Sequence, residues 1–262
     1  MPTTIAITGK GGTGKTVLSA LTVLTLIENN RRPLLAVDAD PNLNLDGALG
    51  IHAEDTVGRV REETRRQAGG GDSHMPTPEF LDLRIRESLA EGHGFDLIAM
   101  GRPEGPGCYC YANEMLRNVL DRLAQAYQVV VIDCEAGLEH MSRRTTGEVD
   151  LLILLSDASV RGIQTARRAL DLMREVRTAP GEAKLVLNKI PGELSESLVQ
   201  AARDLDLEIS ACLPLDPQVA ALDAAGRPLT ELPFDSPMRQ AVARLLADCG
   251  LIAAPDRLQS VC

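Results

Sequence analysis

The stretch Gly9-Lys-Gly-Gly-Thr-Gly-Lys-Thr16 decides the fold, because it follows a β-branched, aliphatic run and precedes a helical pattern. It fits the pattern G-x-x-x-x-G-K-[ST], which cradles phosphate groups when it lies between a strand and a helix. The glycines let backbone N–H groups turn toward phosphate oxygens, and the start of the helix adds positive potential. A merely flexible glycine-rich turn is the alternative. The strand and helix on either side favour a phosphate-binding loop.

Two side chains at the end of this loop have defined chemistry in such a site. Lys15 is expected to reach the β- and γ-phosphates of a nucleotide, and the Thr16 hydroxyl is expected to ligate Mg²⁺. The candidate nucleotide-binding residues of the loop are Gly9, Lys10, Gly11, Gly12, Thr13, Gly14, Lys15, Thr16 and Val17.

Short aliphatic runs alternate with amphipathic stretches along the rest of the chain, a pattern typical of βαβ units. The predicted strands are residues 3–8, 34–38, 97–100, 129–133, 151–156, 184–188 and 208–213. The predicted helices are residues 17–28, 113–126, 163–176, 195–205 and 237–247. Several strands are apolar throughout, which favours a parallel sheet covered on both faces. We therefore predict a doubly wound α/β fold with a mostly parallel sheet flanked by helices.

The chain shows one interruption of this pattern. Glycines and prolines cluster near residues 68–78, which predicts a mobile surface loop between helices, an insertion and not a domain boundary. We expect one domain over residues 1–252, followed by a weakly held tail over residues 253–262.

Composition excludes several classes of protein. The formal net charge is −10, the opposite of what a protein that coats nucleic acid needs, and three Tyr and three Phe offer few stacking platforms. No apolar stretch approaches the roughly 20 residues that span a bilayer, and the first residues do not resemble a secretory signal. Six Cys are too few for a disulfide scaffold. We expect a cytoplasmic protein without nucleic-acid or membrane partners, with thiols left for metal or redox chemistry.

Lys10 is unusual, because a second lysine inside the loop is not needed to hold phosphates within one subunit. The variant G-K-G-G-x-G-K-T resembles the deviant Walker A family of P-loop ATPases, which includes septum-positioning ATPases, the nitrogenase iron protein and several metal-insertion ATPases. The resemblance implies an ATP-sandwiching homodimer in which Lys10 crosses to the phosphates of the partner subunit, a catalytic role together with Lys15. A solvent-facing cation is the alternative.

Two acidic stretches follow predicted strands. They are Val37-Asp-Ala-Asp-Pro-Asn-Leu-Asn44 and Val131-Ile-Asp-Cys-Glu-Ala-Gly137. Both loops open at the carboxyl edge of the sheet, where doubly wound proteins bind ligands, so we expect them to converge on the phosphates.

The same resemblance implies roles for four residues of these stretches. Asp40 matches the carboxylate that positions the attacking water, Asp38 and Asp133 match groups that help to hold hydrated Mg²⁺, and Gly137 matches an amide donor to the γ-phosphate. Phosphoryl transfer needs charge neutralisation and an oriented water, which suits this set. The alternative for Asp38 and Asp40 is that they cap a turn or helix after the strand.

The base is expected to be adenine, hence ATP or ADP. Guanine-specific P-loop proteins usually place a carboxylate after an Asn-Lys pair, whereas the run here is Asn188-Lys-Ile-Pro191. Asn188 can present its amide to the purine edge, with Lys189 beside it. Pro214 and Asp216, in the run Cys212-Leu-Pro-Leu-Asp216, resemble the family's adenine-facing loop. An ordinary turn with an Asp cap remains the alternative.

A Gly/Pro-rich loop, Gly101-Arg-Pro-Glu-Gly-Pro-Gly-Cys-Tyr-Cys-Tyr111, presents Cys108 and Cys110 ahead of a predicted helix. Two thiols this close can grip one soft metal ion, and a helix start favours the thiolate. A four-coordinate site needs two more ligands, which a symmetric dimer supplies from Cys108 and Cys110 of a second subunit. A redox pair, a strained disulfide or two unrelated thiols are the alternatives.

The combined pattern of phosphate loop, acidic stretches and cysteine loop resembles the CooC-type ATPases that mature nickel-containing carbon monoxide dehydrogenase. The cysteine loop is the most specific part of the resemblance. It implies an ATP-dependent dimer that binds Ni²⁺ or Zn²⁺ at its interface and assists nickel insertion into the dehydrogenase, its target partner.

Two other functions fit parts of the sequence. A positioning ATPase would bind membrane or DNA through its surface, but residues 236–250 carry only Arg239 and Arg244 as cations, which disfavours a basic membrane helix. An iron–sulfur electron-transfer ATPase would need cysteines that are widely separated in sequence, one of them in the acidic stretch after the strand at 129–133, where Cys134 lies.

Overall fold

The computed structural model describes residues 1–69, 78–101, 121–134, 149–175 and 180–254. Over these residues eight strands form one sheet: β1 (Thr3–Gly9), β2 (Leu34–Ala39), β3 (Ala90–Glu91), β4 (Phe95–Ala99), β5 (Val129–Cys134), β6 (Leu151–Asp157), β7 (Glu182–Ile190) and β8 (Ile209–Pro214). The helices are α1 (Lys15–Glu28), α2 (Leu45–Leu49), α3 (Val57–Gly69), α4 (Pro78–Glu87), α5 (Val160–Glu175), α6 (Glu196–Arg203), α7 (Pro217–Ala224) and α8 (Pro237–Asp248). A short 3₁₀ helix covers Leu229–Glu231, and residues 121–124 are helical.

The strand order is β3-β4-β2-β5-β1-β6-β7-β8, and every neighbouring pair is parallel except β3 with β4. Sheets of this kind bind ligands where the strand order reverses, at the carboxyl ends of the strands. Here β1 lies between β5 and β6, so the loop after β1 opens at that point.

Both faces of the sheet are covered, because alternate strand residues point to opposite sides. Ile5 and Ile7 of β1 pack with α1, α2 and α8, whereas Ala6 packs with the cluster that includes α3, α4 and α5. The predicted doubly wound, mostly parallel α/β fold is therefore confirmed.

The predicted loop near residues 68–78 lies largely outside the described residues. Helix α3 continues to Gly69 and α4 begins at Pro78, so the ends of that prediction are helical. Of the predicted tail, only residues 253 and 254 are described. Judged by length and apolarity, none of the helices in the described segments qualifies as a membrane span.

Candidate functional site

The loop between β1 and α1 needs glycine for two different reasons. A Cβ on Gly9 would lie 2.1 Å from the carbonyl oxygen of Leu155 on β6, so only a hydrogen fits there. Gly12 and Gly14 have φ values of +79° and +92°, in the left-handed region that L-residues with a side chain rarely adopt. These positions let the chain curl back over the start of α1.

The inside of the loop holds a buried cation. The carbonyl oxygen of Lys10 accepts hydrogen bonds from Thr13 Oγ1 at 2.8 Å and from Lys15 Nζ at 3.4 Å. Lys15 is only 8% exposed. Gly14, the residue that caps α1, has no side chain with which to satisfy the first N–H groups of the helix. Open N–H groups and an ammonium group in one concavity form an anion site.

The side chain of Lys10 is exposed, in contrast to that of Lys15. Exposure fits both a residue that crosses to a partner subunit and a solvent-facing cation. The role of Lys10 therefore stays a prediction.

Two carboxylates lie side by side next to this anion site. Asp38 on β2 and Asp133 on β5 are register partners, and each is 1% exposed. Asp133 accepts hydrogen bonds from Thr16 Oγ1 at 2.7 Å and from Ser19 Oγ at 3.1 Å. The fold thus brings Thr16, Asp38 and Asp133 together, as the sequence predicts. Ser19 was missed, although its position three residues after Thr16 puts both hydroxyls on one face of α1.

Burial makes these two carboxylates hard to ionise. Desolvation raises the pKa of Asp38 to about 7, and the nearby Asp133 adds to the effect. Desolvation likewise raises the pKa of Asp133 to about 6, although hydrogen bonds from Thr16 and Ser19 and the charge of Lys15 act in the opposite direction. The pocket therefore favours an added positive charge.

Asp38 and Asp40 also shape the turn after β2. Asp38 accepts hydrogen bonds from the backbone N–H groups of Asp40 at 3.1 Å and of Leu45 at 3.0 Å. Asp40 accepts from the backbone N–H of Asn42 at 2.9 Å and from its side-chain amide at 2.8 Å. The capping contacts that the sequence analysis gave as an alternative are thus present. A magnesium-holding role for Asp38 and a water-positioning role for Asp40 remain predictions.

Asn188 and Lys189, expected near a purine, bind the phosphate loop itself. Asn188 Nδ2 donates to the Thr13 carbonyl oxygen at 2.8 Å, and Lys189 Nζ donates to that of Gly12 at 2.9 Å. Asn188 is 3% exposed, whereas the Lys189 side chain is exposed.

Asp216 joins the starts of two helices. Its carboxylate accepts hydrogen bonds from the N–H of Gln218 at 2.9 Å, from Ser236 Oγ at 2.6 Å and from the N–H of Met238 at 3.2 Å. Burial would raise the pKa of Asp216, but these hydrogen bonds outweigh it and lower the pKa. The Asp cap that the sequence analysis gave as an alternative is therefore present, and both oxygens of the Asp216 carboxylate accept hydrogen bonds in it. Pro214 ends β8 just before this turn.

Replacing Asp216 with alanine is expected to lower the free energy of unfolding by about 2 kcal/mol, because α7 and α8 each lose a capping acceptor. Urea unfolding measures this change. Asp235→Ala, an exposed neighbour, is the control and should cost little. An Asp216 variant with wild-type stability but weakened ATP binding would instead place this carboxylate at the nucleotide.

Three predicted site residues lie outside the described part of the chain: Cys108, Cys110 and Gly137. Among the described residues, no group of three or more His, Cys, Asp and Glu side chains is arranged to hold a metal ion. Cys134 is 2% exposed in the apolar cluster beneath α3 to α5, and burial raises the pKa of its thiol. It packs there as a small apolar side chain.

A glycine-rich loop at the switch point of a parallel sheet, with a lysine and a threonine opening the next helix, defines a P-loop nucleotide-binding protein. Residues 4–229 match the family described as the CobQ/CobB/MinD/ParA nucleotide binding domain. The chain belongs to this family of P-loop ATPases.

Two curated relatives match over most of their length. An uncharacterized ATP-binding protein of Methanocaldococcus jannaschii is 41% identical over 243 residues, which are 92% of this chain and 96% of the relative. The carbon monoxide dehydrogenase accessory protein CooC of Rhodospirillum rubrum is 31% identical over 237 residues, 85% of this chain and 87% of CooC.

Solved structures share the fold. The cell division protein MinD of Aquifex aeolicus superposes with a TM-score of 0.67 at 20% identity, over 98% of this chain and all of MinD. A ParA family ATPase of Chlorobium tepidum gives a TM-score of 0.70 at 17% identity, over 94% and 98% of the two chains.

Proposed function

We propose that this protein binds ATP with Mg²⁺ and hydrolyses it in the loop between β1 and α1. The observation that carries the proposal is the position of the Lys15 ammonium inside the loop, beside Thr16 and the buried Asp133. The family assignment and the ATP-binding relative support it. Adenine is favoured because Pro191 stands where a guanine-reading carboxylate would be expected.

The residues present fit Mg²⁺, which would be held by Thr16 together with Asp38 and Asp133. Hydroxyl and carboxylate oxygens are the hard ligands that Mg²⁺ prefers. Burial raises the pKa values of both acids, and the charge of Lys15 offsets this only in part at Asp133. A bound cation would therefore stabilise the ionised carboxylates. When bound, Mg²⁺ would neutralise charge on the β- and γ-phosphates.

The residues of this chain bind the phosphates and orient the attacking water. The N–H groups at the start of α1 and the Lys15 ammonium hold the phosphates, and Asp40 orients a water toward the γ-phosphorus. The new P–O bond forms as the bond to the β,γ-bridging oxygen breaks, which releases phosphate and ADP. Lys10 of one subunit reaches the phosphates held by its partner, and Gly137 donates its amide to the γ-phosphate. Dimerisation thus completes the site.

Replacing Asp133 with asparagine separates the magnesium role from folding. In the fold the pKa of Asp133 is about 6, above its ordinary value, so its ionisation destabilises the native state progressively from about pH 4 to 6, and the loss persists above. Asparagine avoids this loss. Without metal or nucleotide we expect Asp133→Asn to be more stable than wild type at pH 8, by roughly 1 to 3 kcal/mol, and no more stable at pH 4.

The same variant should bind Mg²⁺-ATP at least about tenfold more weakly, because asparagine contributes no charge. Urea unfolding in EDTA at the two pH values and titration calorimetry with Mg²⁺-ATP measure the two effects. Asp223→Asn, which removes an exposed acid from α7, is the control. Unchanged Mg²⁺-ATP affinity in the Asp133 variant would refute its place in the metal site.

We further propose that ATP hydrolysis drives nickel insertion into carbon monoxide dehydrogenase. A dimer would hold Ni²⁺ or Zn²⁺ through Cys108 and Cys110 of its two subunits. The C-x-C loop and the 31% identity to CooC support this. Thiolates are suitable ligands for either ion. If ATP strengthens metal binding, metal must strengthen ATP binding by the same factor.

Metal analysis combined with sizing chromatography, with and without ATP, tests this proposal. The metal-handling proposal expects about one ion per dimer, and a dimer that metal or nucleotide stabilises. A coloured protein containing iron and sulfide would instead indicate an electron-transfer ATPase. A metal-free dimer formed with ATP alone would favour a positioning or partitioning ATPase. This alternative is supported by the family, whose description includes MinD and ParA.

A further inference from the structure

The end of β7 grips two consecutive peptide groups of the phosphate loop. Asn188 holds the carbonyl oxygen of Thr13, and Lys189 holds that of Gly12, at 2.8 and 2.9 Å. These residues are about 175 positions apart in the sequence, so the contact exists only in the fold.

Asn188 is itself fixed in place. Its Oδ1 accepts a hydrogen bond from the backbone N–H of Lys189 at 2.8 Å, which sets the direction in which its amide group donates. A Cβ on Gly14 would lie 2.6 Å from Asn188 Nδ2, so the loop approaches this amide as closely as glycine allows. The amide of Asn188 is therefore part of the wall of the loop.

Lys189 adopts a backbone conformation that is unfavourable for lysine. Its φ value is +59°, in the left-handed region where Gly and Asn are the common residues. That conformation lets its N–H reach Asn188 while its side chain reaches back to Gly12.

The two contacts determine where the loop's donors point. In a trans peptide the C=O and the following N–H point in opposite directions. Because the carbonyl oxygens of Gly12 and Thr13 are held by β7, the N–H groups of Thr13 and Gly14 point away from β7. The N–H of Thr13 donates to the carbonyl oxygen of Lys10 at 3.3 Å inside the loop. The contacts from β7 thus fix, from outside the loop, the orientation of the peptide groups that shape the phosphate site.

We propose that Asn188 and Lys189 are positioning residues that clamp the phosphate loop in its binding conformation. This role is separate from any contact that they make with the purine. The inference rests on the proposed function only in that the loop binds phosphates. A residue that reads the purine alone would affect ATP and leave inorganic tripolyphosphate, which has no base, untouched. A clamp affects both.

Lys189→Asn is the main test, because asparagine tolerates the left-handed backbone but is too short to reach Gly12. We expect its Kd for Mg²⁺-tripolyphosphate and its KM for ATP to rise by a similar factor, about five- to tenfold, with thermal stability kept. Lys189→Arg, which retains a donor, should restore most of the loss. Lys184→Asn removes a charge from the other end of β7 and is the control.

Asn188→Ala is expected to raise the Kd for Mg²⁺-tripolyphosphate and the KM for ATP more than Lys189→Asn does, because it leaves the buried carbonyl oxygen of Thr13 without a donor. The melting temperature of the Asn188 variant reports whether it folds. Loss of ATP affinity with unchanged tripolyphosphate binding in Lys189→Asn would overturn the clamp in favour of a purine contact, and unchanged binding of both would overturn it outright. Calorimetry with tripolyphosphate needs no turnover. A wild type that binds it but does not hydrolyse ATP would therefore count against the proposed function alone.

Discussion

Lys15→Ala is expected to weaken ATP binding by at least about a hundredfold, because the lost ammonium group is the one that we propose to contact two phosphates, in a site shielded from water. Lys15 is 8% exposed, and its charge also helps to keep Asp133 ionised. Alanine therefore removes the cation of the anion site and leaves the neighbouring acid pair less compensated. Titration calorimetry with Mg²⁺-ATP measures the affinity, and phosphate release measures turnover.

Lys10→Ala is the matched comparison, because it removes the same charge from the same loop at an exposed position. We expect ATP affinity within about threefold of wild type, since Lys15 and the helix start remain. Dimerisation with ATP and turnover should fall together if Lys10 crosses to the partner. Wild-type hydrolysis in both lysine variants would show that the phosphates are bound elsewhere.

Most strands were predictable because they contain a short run of buried aliphatic residues. β5 and β6 are apolar over most of their length and buried on both sides, and their predicted bounds differ from the structure by one residue at the carboxyl end. β3 was missed because it has only two residues and pairs antiparallel at the edge.

The missed helices carry little apolar periodicity. Helix α2 has five residues and buries only Leu45 and Leu49, whereas α7 buries only Leu222. Helices α3 and α4 were expected only as helices without defined bounds on either side of the loop near residues 68–78, and α3 is rich in charged residues. The core-facing pattern that marks a helix in sequence is too brief in these segments to be distinguished from a loop.

The parts of the site that could be predicted are those that one stretch of chain specifies. The phosphate loop is contiguous, and Asp38 and Asp133 each lie near the carboxyl end of a strand, at the same edge of the sheet. The contacts of Asn188 and Lys189 with Gly12 and Thr13 depend on β7 lying next to β6, which itself lies next to β1, and no local sequence pattern records this order. The contact between Asp216 and Ser236 is similar, because Ser236 caps another helix, whereas the cap that Asp216 provides at the start of α7 was among the expected alternatives.

The double variant Cys108→Ser and Cys110→Ser is expected to lower bound nickel or zinc from about one ion per dimer to near zero, because serine hydroxyls are poor ligands for these ions at neutral pH. ATP binding should be unchanged within about twofold, since the phosphate loop is intact. The dimer that metal stabilises should dissociate. Metal analysis after gel filtration, with and without ATP, gives all three results.

Cys212→Ser combined with Cys249→Ser is the matched control, because it removes the same number of thiols from partly buried positions on β8 and after α8. It should keep its metal. If both double variants retain wild-type metal content, the C-x-C loop holds no ion, and the case for nickel handling loses its chemical basis while ATP hydrolysis stands. If only the control loses metal, the ligands lie at Cys212 or Cys249. Loss confined to the Cys108 and Cys110 variant, with tighter metal binding in ATP than in ADP for wild type, would tie the ion to the nucleotide-dependent dimer.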